Sequence, residues 1–349
     1  MNDSAASQLC SSDPLPDDHP PIPAAKIGVL LVNLGTPDAP EAGAVRRYLR
    51  EFLSDERIVD LPRALWLPVL YGIILNVRPA ATARNYAKIW REQSSESPLR
   101  YYTRAQAEGL SAQFDGAMID RAMRYGNQSN ATRLNAMKED GFERILVVPL
   151  YPQYSATTTA SVADAVFDAV KQMRWQPAIR IAPAFHDEPA YISALAAITR
   201  RHLEAQGFTP ERVIISFHGL PQRYFDAGDP YHCHCAKTAR LLRAAMGWSD
   251  AFAPLAFQSK FGREKWLEPA TEDTISLLAS EGVKKLAVIT PGFVADCIET
   301  LEEIDIAGRE TFFEGGGEAF TSVPCLNDAP EMMTLLDVIA RREAAGWLR

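Results

Sequence analysis

GVLLVNLGTP (Gly28–Pro37) and RVIISFHGLP (Arg212–Pro221) follow one pattern, and that pattern decides the fold. Each is a short apolar run that closes on a glycine turn and a proline. It reads as a buried strand ending at a tight turn. GFERILVVP (Gly141–Pro149) and GVKKLAVIT (Gly282–Thr290) form a second matched pair. The offsets are 184 and 141 residues, so insertions separate the copies. Such a repeat predicts two similar domains that face a shared cleft.

Working outward, strands are predicted near 27–31, 117–124, 145–150, 179–184, 212–217, 252–258 and 285–290. Between them lie helical patterns at 41–53, 79–91, 99–115, 130–140, 160–173, 188–205, 235–246, 270–281, 297–307 and 329–347. Short apolar strands alternating with helices of this length predict an α/β fold built of mostly parallel layers. The division expected is a mobile tail over 1–25, α/β domains over 26–175 and 176–328, and a C-terminal helix over 329–349 that packs across them. The apolar and aromatic stretch Trp66–Val77 fits no strand. It reads either as a helix packed on the core or as a lip over an apolar pocket.

Composition narrows the function. The 349 residues are 47% hydrophobic, which is globular. The net charge is -8, and four of the acids (Asp3, Asp13, Asp17 and Asp18) lie in the first 25 residues, which hold no Lys or Arg. The rest is nearly balanced, so nucleic acid is not the expected partner. Five cysteines at irregular spacing do not make a disulfide scaffold. No apolar run reaches the roughly 18 residues that span a bilayer, since Pro68 and Gly72 break the longest candidate. The N-terminus does not resemble a secretory signal. The expectation is a reduced, cytoplasmic protein. Gly-x-Gly-x-x-Gly, Walker and Gly-x-Ser-x-Gly fingerprints are all missing, which removes support from nucleotide-binding and hydrolase readings.

Four strand-end segments hold the chemistry-bearing side chains. His218 sits where a buried strand meets the Gly219 turn, the place where doubly wound sheets gather ligands. A second segment, 290–305, carries Asp296, Glu299, Glu302, Glu303 and Asp305. Asp296 and Glu299 have the spacing of a reciprocal helix cap. Yet five carboxylates in ten residues repel one another on a plain helix and suit the attraction of a cation. A third, Tyr151–Thr159, offers Tyr151, Tyr154 and Ser155; Ser155 or Thr157 serves equally well as a helix cap. The fourth is His232-Cys233-His234-Cys235. Adjacent residues in an extended segment point to opposite sides, so these four do not readily close one metal tetrahedron.

Taken together, these strings resemble the ferrochelatase family, whose members insert ferrous iron into a porphyrin. The resemblance spans about 26–347. It rests on LVNLGTP (31–37), SPL (97–99), YPQYS (151–155), SFHGLP (216–221), GDPY (228–231), FQSKFG (257–262), WLEP (266–269) and ADCIETLEEID (295–305), in that order. It implies two doubly wound domains with a porphyrin cleft between them, and His218 as the catalytic, metal-contacting residue with Glu299 as its partner. It places Asn33, Leu34, Arg124, Tyr125, Tyr151, Tyr154, Ser155 and Trp266 at the cleft, with Asp296 and Glu303 on a proton or metal path. Arg78 or Arg124 would meet a propionate. The chain departs from many members at position 297, a Cys where they carry His. Some members hold an iron–sulfur cluster on cysteines near the C-terminus; nothing after Cys325 can serve here, so no cluster and no tightly bound cofactor are expected.

The reaction implied is insertion of Fe²⁺, as substrate, into protoporphyrin IX, with release of two protons. Histidine exchanges protons near neutral pH, which suits that step. The alternatives are a coproporphyrin ferrochelatase, another tetrapyrrole chelatase, and a non-enzymatic porphyrin or haem carrier. The porphyrin and the iron are the expected partners, with peripheral contact to a membrane surface open and no obligate protein partner.

Overall fold

The computed structural model describes residues 26–262 and 264–348. The tail expected over 1–25 lies outside the described residues. Two four-stranded sheets carry the chain, and every pairing in them is parallel. The first holds β1 (Lys26–Gly35), β2 (Met118–Tyr125), β3 (Phe142–Pro149) and β4 (Ala178–Ile181) in the order β2-β1-β3-β4. The second holds β5 (Arg212–His218), β6 (Leu255–Gln258), β7 (Lys285–Ile289) and β8 (Ala319–Ser322) in the order β6-β5-β7-β8. The matched sequence pairs thus occupy equivalent places: β1 and β5 second in their sheets, β3 and β7 third. Strand β8 escapes the sequence reading. It is four residues long, AFTS, and buries only Phe320 and Thr321.

The central strands are covered on both faces. Val29–Val32 of β1 and Val213–Ile215 of β5 are fully buried, which is why both read as unbroken apolar runs rather than alternating ones. The C-terminal helix, Pro330–Glu343, drives Leu335, Leu336 and Ile339 into a core that also takes Val29 and Leu31 from β1 and Ile215 and Phe217 from β5. One apolar core therefore joins the two sheets. Ser97 caps the helix Pro98–Ser111 by accepting from the Arg100 amide, with Pro98 at the first turn, so the SPL string is a helix start.

The stretch after the helix α1 (Ala42–Leu53) corrects the sequence reading. Arg63–Ile89 is one helix of 27 residues, built from α2 (Arg63–Val69), a π-helical turn at Leu70–Ile74, and α3 (Leu75–Ile89). It runs through Pro68 and Gly72, which read as breaks, and through Pro79, where a separate helix was expected to begin. Pro79 has no N–H for the carbonyl of Leu75, and the Arg46 guanidinium donates to that carbonyl instead. By length and composition this helix meets the test for crossing a bilayer. It lies along the body, however, with Leu70, Ile74, Leu75, Ala83 and Tyr86 buried beneath it. Leu65, Val69, Ile73 and Val77 stay exposed.

Candidate active site

A cavity of about 600 Å³ opens outside the carboxyl ends of β1, β3, β5 and β7. This is where parallel sheets place ligands. Its walls are mostly apolar: Leu34 at the end of β1, Leu150 after β3, Leu220 after β5, Phe293 after β7, and Trp66 and Ile74 from the long helix. The Trp66–Val77 stretch is therefore both a helix on the core and a wall of the pocket.

His218, at the last position of β5, lines this cavity. Its Nδ1 lies 2.6 Å from the carbonyl oxygen of Gly219. A carbonyl only accepts, so in the neutral imidazole Nδ1 carries the proton and Nε2 keeps its lone pair. The turn is tight for a stated reason. The Gly219 amide donates to the Gln258 carbonyl at 2.7 Å, and a Cβ at 219 would stand 2.7 Å from that oxygen and 3.2 Å from the Trp266 ring. Only glycine lets the strand end approach so closely.

Glu299 also lines the cavity. It begins a π-helix, Glu299–Gly308, where α-helical spacing is expected from sequence. The neighbouring acids are each spent elsewhere. Glu302 pairs with Lys88 at 2.8 Å and Asp305 with Arg309 at 2.6 Å. Glu303 accepts from the Ser259 amide and hydroxyl, both at 2.6 Å, and from Gln258 Nε2 at 3.3 Å. Burial raises the Glu303 carboxyl, opposed by the Ser259 hydrogen bond. Gln258 also donates to the Glu299 carbonyl at 2.8 Å and accepts from Ser216 at 2.9 Å. It is the tie between the His218 strand and the helix of Glu299, and sequence reasoning missed it.

Asp296 is a correction. It does not line the cavity. Its two oxygens accept from Thr300 at 2.9 Å, from the Cys325 amide at 3.3 Å and from Asn327 Nδ2 at 2.6 Å, while Asn327 Oδ1 takes the Asp296 amide at 2.8 Å. It clamps the 325–327 loop, and the reciprocal cap with Glu299 does not form. Cys297 lines the cavity as a buried thiol. Burial first, and the Glu299 charge second, push its pKa well up.

Asn33, Leu34, Tyr151, Trp266 and Arg78 line the cavity. Asn33 donates to Thr103 at 3.0 Å, and its oxygen takes the Leu34 amide at 2.8 Å. The Tyr151 hydroxyl and the Trp266 indole nitrogen are buried with no hydrogen-bond partner. Unpaired polar atoms in an apolar wall fit a ligand that brings its own polar groups. Tyr154 and Ser155 do not line the cavity. The Tyr154 amide donates to His234 Nδ1, and Ser155 caps the π-helical turn Ala156–Ala160 and donates to Asp229 at 2.9 Å. Tyr151 and Gln153 face the cavity instead.

Arg124 and Tyr125 are the second correction. They line a separate polar pocket, beyond Tyr48 and Thr36, with Asp55 between them. Asp55 accepts from Arg124 at 2.5 Å, Tyr125 at 2.7 Å and Ser161 at 2.6 Å. Burial works to raise the Asp55 carboxyl, but those hydrogen bonds and the Arg124 charge hold it below its ordinary value. Arg124 is thus already paired. Arg78 is lowered by burial alone and has no carboxylate partner among the described residues.

The His232–Cys235 run is in the first turns of the helix Tyr231–Met246, which begins four residues earlier than expected. Its side chains fan out. His232 lies between Phe225 and Phe257, Cys233 is exposed, His234 stacks on His186 at 3.6 Å, and Cys235 is buried. Among the described residues no three His, Cys, Asp or Glu side chains group to hold a metal ion.

The family model described as Ferrochelatase matches residues 26–344. The chain belongs to the ferrochelatase family. It is 52% identical over 337 residues to the ferrochelatase of Agrobacterium fabrum, covering 96% of this chain and 98% of that one. It is 53% identical over 334 residues to that of Rhizobium meliloti, covering 95% and 98%. Among solved structures, SirB from Bacillus subtilis with Fe3+ superposes with a TM-score of 0.58 at 11% identity, covering 92% of this chain and 97% of SirB. That likeness concerns the fold: parallel sheets of the kind found in chelatases.

Proposed function

We propose that this chain inserts Fe²⁺ into protoporphyrin IX, giving protohaem and two protons. Metal insertion into a tetrapyrrole is the general activity that family membership supports. The observation that carries the reading is that a histidine, His218, and a carboxylate, Glu299, line one mostly apolar cavity. A planar porphyrin hides its nitrogen lone pairs, and holding it bent beside a base lowers that obstacle. His218 Nε2 accepts a pyrrole proton. Glu299 takes the second proton or guides the iron. Fe²⁺ replaces two protons, so charge balances and the product core is neutral, which an apolar cavity tolerates. A carrier would need the cavity but not this base.

The choice of porphyrin follows from charge. Arg78 and Arg223 are the cations lining the cavity among the described residues. Arg223 is taken by Asp60 at 3.2 Å and Glu264 at 3.1 Å. One uncommitted guanidinium suits two propionates on one edge better than four around the ring, since an unpaired buried carboxylate is costly. In this reading the sheets belong to domains 26–175 and 176–328 that close on the macrocycle, and the exposed apolar residues of the long helix rest on a membrane surface. Anaerobic assays that compare the two porphyrins test the substrate. A higher kcat/KM for protoporphyrin IX is expected; preference for coproporphyrin III overturns it.

A further inference from the structure

Phe261 and Arg78 meet across the mouth of the cavity. Arg78 stands on α3 and Phe261 on the loop after β6, and the guanidinium carbon lies 4.4 Å from the ring centroid. Both line the cavity. The loop is fixed from behind. Ser259 holds a left-handed φ of 65° and Gly262 one of 79°, so a turn brackets Phe261 on either side. Ser259 is pinned in that conformation, unusual for a non-glycine residue, by its two 2.6 Å bonds to Glu303. Glu303 thus sets the turn that presents Phe261.

A guanidinium is planar. An aromatic ring on one face steadies it, while its N–H groups stay in the plane, free for a forked contact with a carboxylate. We propose that Phe261 is a positioning residue for substrate binding: its ring holds the Arg78 guanidinium in the orientation that receives a carboxylate arm of the porphyrin. This rests on the reading of Arg78 as the propionate partner. Phe261 is half-exposed, so its replacement does not strip the core.

Metal-free protoporphyrin IX and its dimethyl ester, titrated by fluorescence quenching into wild type, Phe261→Leu, Phe261→Tyr and Arg78→Met, test it. Phe261→Leu is expected to weaken the free acid about threefold to tenfold, with less effect on the ester. Its KM for the free acid should rise by a larger factor than its kcat falls. Phe261→Tyr, which keeps the ring, should restore free-acid affinity. Adding Phe261→Leu to Arg78→Met should weaken the acid no further. Free-acid affinity at the wild-type level in Phe261→Leu, or equal loss for acid and ester, overturns the role of Phe261. If Arg78→Met itself weakens acid and ester equally, the propionate reading fails and the proposal goes with it.

Discussion

His218 is held by one short hydrogen bond and one glycine. The bond to its neighbour's carbonyl selects the tautomer, and the missing Cβ lets the strand end sit against Gln258 and Trp266. Of the acids at 296–305, Glu299 is the one that lines the cavity, while its neighbours are engaged elsewhere. Glu299→Gln should lower iron insertion about tenfold to a thousandfold, with porphyrin affinity largely kept. Parallel insertion and fluorescence titrations check this; unchanged kinetics contradict it. The His186–His234 stack makes a second prediction. Burial first, and the His234 charge second, depress His186 to about 4 from 6.5; burial also lowers His234. Between those values the unfolded chain binds protons that the folded one refuses. Stability is therefore complete above pH 6.5 and falls as pH drops toward 4. Urea midpoints across that range should fall in wild type and fall less in His186→Phe. Equal slopes would show that the stack does not titrate with folding. At this scale His218 was legible from its strand-end motif, while Glu299 and Trp266 were placed at the cleft by the family resemblance. The place of Arg124 and Tyr125 was not legible, because Asp55, which claims them, lies some seventy positions away in sequence.

Among the elements, the central strands and the edge strands β2, β4 and β6 were legible in the sequence, and the edge strand β8 was not. A strand buried on both faces must be apolar throughout, so β1, β3, β5 and β7 stand out from any neighbour. Edge strand β8 has little to bury. The long helix was hidden by its two prolines and a glycine, since the repair of Pro79 comes from Arg46, on another helix. Gly35 marks the end of β1 with a φ of 111°, and a Cβ there would stand 1.9 Å from the Tyr125 carbonyl oxygen. Gly35→Ala should cost about 2–3 kcal/mol of stability, read from the urea midpoint. A change within about 0.5 kcal/mol would mean that β1 and β2 separate without penalty.

For the molecule as a whole, one core spans both sheets while the cavity opens between their strand ends. The long helix forms a wall of that cavity and turns Leu65, Ile73 and Val77 outward, at 68%, 59% and 69% exposure. If that face rests on a membrane, the protein should sediment with lipid vesicles, and Leu65→Glu with Ile73→Glu should reduce the bound fraction. Equal sedimentation of wild type and double variant would remove the helix from that role. The repeat in the sequence foretold the duplicated strand order; it did not foretell that a polar pocket would lie beside the apolar one, because that separation depends on Tyr48 folding between them. The most direct test remains anaerobic insertion of Fe²⁺ into protoporphyrin IX by wild type and His218→Ala, with porphyrin binding titrated on the same samples. Near-complete loss of insertion with binding retained is the result predicted; turnover at the wild-type rate in His218→Ala would contradict the assignment of His218 as the base.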